Sequence, residues 1–384
     1  MKSMFNSMKK LFGAMACLLA AFSASAQVTV FESGREGYKS FRIPAIISLP
    51  NGELLAFAEG RVENASDFGD IDIVMKRSTD KGNTWSPLQV VAENKNMQAG
   101  NPAPVLDLTD PAHPGGRVFL FYNTGTNHES EVRKGTGLRE ALYVTSADGG
   151  KTWSGPVNIT KQVHRPKQLG FPEDWRCFFN TPGHAMQFTS GQYRGRIFVA
   201  TNHSAGDPQP KHREYQAGGY YTDDHGKTFH ISSSVDIPGS NEAIATEISR
   251  GRLMMNVRNQ QGNIKARIVA LSSDGGARWD TAYFDMNLPD PVCQGSILTV
   301  GSHKGKAIVA FSNAADTSKR DNLTLRISTN DGLTWKRSYK IDQTGVAGNA
   351  AYSDLVMLSK REIGVLYEKN KYQQIIFTKV KWKK

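Results

Sequence analysis

One eight-residue pattern recurs five times along the chain, and it restricts the possible folds more than any other feature. Ser78-Thr79-Asp80-Lys81-Gly82-Asn83-Thr84-Trp85 returns as Ser146-Ala147-Asp148-Gly149-Gly150-Lys151-Thr152-Trp153, and again as Thr222-Asp223-Asp224-His225-Gly226-Lys227-Thr228-Phe229. Looser copies occupy 272–279 and 328–335, with Arg278 in the threonine position and Asn330 in the aspartate position. Such a box is a hairpin corner: the carboxylate accepts backbone N–H bonds across the turn, and the glycine supplies a positive φ. The threonine starts the next strand, and the aromatic ring packs between neighbouring sheets. Asp80, Asp148, Asp224 and Asp274 are therefore read as structural, despite being acids.

Equivalent box positions lie 68, 76, 50 and 56 residues apart, which leaves room for one four-stranded sheet per copy and loops of variable length. Between the boxes run short segments rich in β-branched and aromatic residues, at 43–49, 53–58, 71–76, 118–123, 141–145, 196–201, 252–257, 307–311 and 363–367. No stretch of about a dozen residues keeps a helical period. The expectation is an all-β chain folded as a six-bladed β-propeller with Asp-box hairpin repeats, five blades carrying a box and one unmarked. The segment 161–182, rich in proline, arginine and aromatics, is expected as the longest rim loop. No linker composition divides residues 27–384 into two domains.

Residues 1–26 read as a secretory signal. Lys9 and Lys10 precede an apolar run at 11–22, and Ala24-Ser25-Ala26 supplies the small residues of a cleavage site. That run is shorter than the roughly 20 residues needed to span a bilayer, and the residues before Cys17 fit a lipidation signal poorly. Cleavage before Gln27 would leave 358 residues and lower the formal charge from +11 to +8, in a periplasmic or secreted protein. Export argues against nucleic acid as a partner, and no uninterrupted basic run is present. The positive balance suits ordinary solubility or an acidic small substrate. Cys177 and Cys293 make no disulfide framework, and the sequence leaves open whether they pair. No cysteine–histidine spacing resembles a zinc site.

The chemistry-bearing residues are scattered. Phe41-Arg42-Ile43-Pro44 places an arginine between apolar neighbours at a strand start, where a buried guanidinium needs partners. Arg258 follows Leu253-Met254-Met255-Asn256-Val257, and Arg320 precedes Asn322-Leu323-Thr324-Leu325. Three arginines converging from distant blades would make a trap for a carboxylate.

With the boxes, the Phe-Arg-Ile-Pro opening, Cys293-Gln294-Gly295-Ser296 and Ala351-Tyr352-Ser353-Asp354-Leu355, nearly the whole chain after residue 26 resembles the exo-α-sialidases, or neuraminidases. The resemblance implies removal of terminal α-linked sialic acid from glycoproteins, glycolipids and oligosaccharides, without a cofactor or catalytic metal; it does not speak to a structural calcium. It makes Arg42, Arg258 and Arg320 the carboxylate-binding set, with Arg61 as a fourth contact and Glu59 and Asn101 at the pocket wall. Asp67 matches the acid/base aspartate, with Asp70 and Asp72 close by as rivals. Tyr352 matches the nucleophile, and Glu242 is favoured over Glu247 as the glutamate that assists it.

A phenol suits this substrate. Sialic acid carries a carboxylate on its anomeric carbon, which would repel a carboxylate nucleophile, whereas a phenol is neutral until it gives up its proton. Its ordinary pKa near 10 calls for an adjacent base, and two successive displacements imply retention of configuration. The rival readings are a trans-sialidase, an enzyme releasing an anhydro product, and a propeller that binds sialoglycans without cutting them. The joint presence of Tyr352, Asp67 and Glu242 weighs against the last. Linkage preference and oligomeric state are not readable from the sequence.

Overall fold

The computed structural model describes residues 27–383; the expected signal at 1–26 lies outside them. The chain is all-β apart from single helical turns, among them Glu129–Val132 and Thr160–Val163, and it folds as a β-propeller. Four sheets have four or five strands each, and one has eight. The eight-stranded sheet consists of two antiparallel runs, Ser40–Ser48 through Gln89–Ala92 and Gln98–Asp107 through Val157–Asn158, joined by the single parallel pair Ile71–Gln98. The last sheet combines Ala350–Ser359, Glu362–Lys369 and Gln374–Lys381 with Val28–Glu32 from the other end of the chain. This pairing of the two ends of the chain closes the ring.

Each box forms the corner its sequence demands. Asp80 accepts the N–H groups of Asn83 (3.0 Å) and Thr84 (2.9 Å) and the hydroxyl of Thr84 (2.7 Å). Asn330 does the same work through its amide oxygen, accepting from the N–H of Thr334 at 3.0 Å. Box aromatics wedge against strands outside their own hairpin: Trp85 meets Phe377 edge-on at 5.5 Å, Trp153 meets Phe57 at 6.1 Å, and Trp279 meets Phe198 at 6.2 Å. Gly82, at φ +83°, leaves no room for a Cβ against the Phe377 ring. The sheet closed by Val28–Glu32 has no box because its third and fourth strands are not joined by a turn. Apolar side chains fill the space between the two runs of the eight-stranded sheet, where Leu55, Phe57 and Met75 cluster with Val118, Leu120 and Val144.

One expectation changes, and one open question is answered. The segment 161–182 is not wholly loop: Trp175–Asn180 is a strand paired with Ile197–Ala205, since its Trp, Cys and Phe side chains have a sheet surface to pack on. Cys177 and Cys293 are both buried and unpaired, in separate clusters beside Tyr215 and Tyr352 respectively. Among the described residues no helix is long and apolar enough to cross a membrane.

Candidate active site

The innermost strands begin at one end of the propeller, and four of them start with a β-bulge. Register shifts fall between Arg42 and Ala45, Gly100 and Ala103, Ser240 and Ala243, and Ala350 and Ser353. A bulge breaks the in–out alternation and re-aims a side chain. Here the bulges carry Asn101, Glu242 and Tyr352, Arg42 is the last paired residue before one, and all four line one pocket of about 240 Å³. Arg61, Asp67, Arg258 and Arg320 line it too, so the structure brings every favoured site residue together.

At the centre, the Tyr352 hydroxyl donates to Glu242 Oε1 at 2.5 Å and accepts from Arg258 Nη1 at 2.9 Å. Arg258 also bridges to Glu242 Oε2 at 2.5 Å. Burial, reinforced by the Glu242 charge and opposed by Arg258 and Arg320, holds the Tyr352 phenol well above its ordinary pKa. The resting phenol is thus protonated, with a carboxylate in place to take the proton.

Asp67 stands at the pocket mouth on an irregular loop, its side chain 68% exposed. Its Oδ1 lies 2.8 Å from Arg61 Nη1 and 3.7 Å from Arg42 Nη1. Partial desolvation would raise its pKa, but Arg61 and then Arg42 more than offset this and hold the carboxyl below its usual range. The rivals are placed elsewhere. Asp72 accepts the Tyr38 hydroxyl at 2.8 Å, and Asp70 does not line the pocket. Glu247 is five residues beyond Glu242 on the same strand, roughly 16 Å at strand rise. It accepts from Thr189 in a different cavity of about 560 Å³, where the inner strands end.

Several contributors carry no sequence signal. Glu368 Oε1 accepts Arg42 Nε at 2.6 Å and the Ile43 N–H at 3.0 Å, and its Oε2 accepts the Tyr352 N–H at 3.3 Å. It thereby pins two strands that meet only in the fold. Ile43, a β-branched residue at φ +59°, is a strained position that this clamp supports. Glu59 receives Arg61 Nη2 at 2.6 Å and the Asn101 N–H at 2.9 Å. Gln98, Glu129, Arg139, Phe179 and Asn202 also line the pocket. The resemblance places Glu59 at the pocket wall; only a sequence signal for long-range pairing could have found the others, because each looks like an ordinary strand or turn residue.

Chemically, the pocket sets three guanidiniums beside a phenol with a base in contact, and an aspartate lines the same pocket. That set can bind a carboxylate, supply a nucleophile and exchange a proton with a leaving group. The model of the BNR repeat-like domain matches residues 52–365. A sialidase of Micromonospora viridifaciens is 33% identical over 356 residues, covering 88% of this chain and 51% of the relative. One from Bacteroides fragilis is 28% identical, covering 89% and 62% respectively. Among solved structures, the Hadza microbial sialidase Hz136 aligns with a TM-score of 0.77 at 26% identity, covering 93% of this chain and 68% of that one. The chain thus spans about half to three fifths of the length of these two sequence relatives.

Proposed function

The chain belongs to the BNR repeat-like domain family, its matched relatives include proteins named sialidases, and we propose that it is an exo-α-sialidase hydrolysing terminal α-linked sialic acids of glycoconjugates. The observation that carries this reading is the contact between the Tyr352 hydroxyl, Glu242 at 2.5 Å and Arg258 at 2.9 Å within an arginine-lined pocket. A binding module has no use for a phenol already engaged with a base.

The proposed course uses these residues in order. Arg42, Arg258 and Arg320 hold the substrate carboxylate, fixing the anomeric carbon over Tyr352. As the phenolic oxygen bonds to that carbon, its proton passes to Glu242, and Asp67 gives a proton to the departing glycosidic oxygen. Asp67, now a carboxylate, takes a proton from water as the water oxygen displaces the phenol, which recovers its proton from Glu242. The two displacements give net retention. NMR of an α-sialoside digest is expected to show α-sialic acid first, with the β-anomer appearing only by mutarotation. Release of the β-anomer first would overturn the double displacement, and absence of any release would overturn the enzyme reading.

The same reading takes the eight-stranded sheet as two blades joined at Ile71–Gln98, giving six in all, and residues 27–384 as one catalytic domain. Export to the periplasm or medium rests on the leader pattern at 1–26.

A further inference from the structure

Arg42, Arg61 and Arg258 each pair with a glutamate: Glu368, Glu59 and Glu242. Arg320 is held differently. Its Nη1 donates to the Tyr372 hydroxyl at 3.1 Å and its Nη2 to the Val292 carbonyl at 3.3 Å, both neutral groups. The Tyr372 ring also lies beneath Arg42, whose guanidinium carbon is 4.0 Å from the ring centroid. One side chain therefore touches two of the three arginines, one through its face and the other through its oxygen.

The backbone there is costly to form. Asn370, Lys371 and Tyr372 all have positive φ, at 54°, 52° and 68°, in the turn between Glu362–Lys369 and Gln374–Lys381. An aromatic residue in that region is strained unless its surroundings enforce it. They do: Ser33 Oγ donates to the Tyr372 carbonyl at 2.8 Å, and the Lys371 N–H donates to the Gly348 carbonyl at 2.8 Å. Strain kept in place beside a charged pocket has a function to account for it.

The geometry points to Tyr372 as a positioning residue that orients Arg42 and Arg320 toward the substrate carboxylate without adding a negative charge of its own. A carboxylate in its place would hold Arg320 as firmly but cancel the charge the substrate needs. A ring face and a phenolic oxygen hold both cations without a further counter-charge, and leave Arg320 free of any carboxylate partner among the described residues. This inference rests on the sialidase reading and extends it to a residue outside the reacting groups.

The test compares wild type, Tyr372→Phe and Tyr372→Leu in binding a 2,3-unsaturated sialic acid and its methyl ester, which lacks the charge. Wild type is expected to prefer the acid. Tyr372→Phe should reduce that preference about tenfold by losing the bond to Arg320, and Tyr372→Leu should reduce it further by losing the platform. Ester affinity should stay within about threefold, and KM for a sialoside should rise more than kcat falls. A general packing defect would weaken acid and ester alike. If Tyr372→Leu does not fold, Tyr372→Phe decides. Full acid preference in Tyr372→Phe would overturn the proposal while leaving the sialidase reading intact. No acid preference in wild type would overturn the carboxylate cradle itself, and the role of Tyr372 with it.

Discussion

Replacing Tyr352 by phenylalanine is expected to lower kcat for an α-sialoside by at least about 10³-fold while the protein keeps its fold. The substitution removes one oxygen from a ring that otherwise still packs against Ile43 and Cys293, so the thermal midpoint should change little. What disappears is the atom that bonds to the anomeric carbon, together with the partner of both Glu242 and Arg258. Glu242 and Arg258 remain paired at 2.5 Å, so the glutamate is not left as an unpaired buried charge. Substrate should still bind through the arginines. Steady-state assay beside a binding measurement checks this, and near wild-type turnover would remove Tyr352 from the chemistry.

The second large effect is at Asp67, and it depends on the leaving group. Asp67→Ala should cut kcat/KM for sialyllactose by about 10²- to 10⁴-fold, because a sugar hydroxyl leaves poorly without a proton. An aryl sialoside with an acidic phenol leaves unaided, so its kcat/KM should fall less than about tenfold. The wild-type pH profile carries a matching signature. In the free site Arg61 and Arg42 hold Asp67 below the usual carboxylate range, yet it must be protonated to act as an acid. Activity is therefore lost as pH rises through its pKa. Once the substrate carboxylate docks on the arginines, their field on Asp67 weakens and its pKa rises. The basic limb of kcat should then lie at higher pH than that of kcat/KM; coincident limbs would contradict this coupling.

Much of this was legible in the sequence because it depends on local patterns. The boxes are self-contained turns whose hydrogen bonds close within four residues, so Asp80, Asp148 and Asp224 announce their corners directly. Arg42 stood out as a charge between apolar neighbours at a strand start. What stayed hidden depends on the closed ring. Glu368 is 326 positions from Arg42, and nothing near it in sequence marks it as that arginine's partner. Glu242 and Glu247 share one strand, and only the bulge at Ser240–Ala243 together with the direction of the strand decides which end faces the pocket. Trp175–Asn180 looked like loop because proline and charge flank it, and tertiary pairing with Ile197–Ala205 overrode that local composition.

The most direct test of the account is covalent trapping. A 2,3-difluorosialic acid keeps a good leaving group on the anomeric carbon, while the neighbouring fluorine slows formation and turnover of a glycosyl intermediate. After brief incubation and proteolysis, mass spectrometry is predicted to find the fluorosialyl adduct on the peptide containing Tyr352, attached to that tyrosine, and to find none on Tyr352→Phe. An adduct on Glu242, Asp67 or any other side chain, or inactivation with Tyr352 unmodified, would contradict the claim that this buried phenol is the nucleophile.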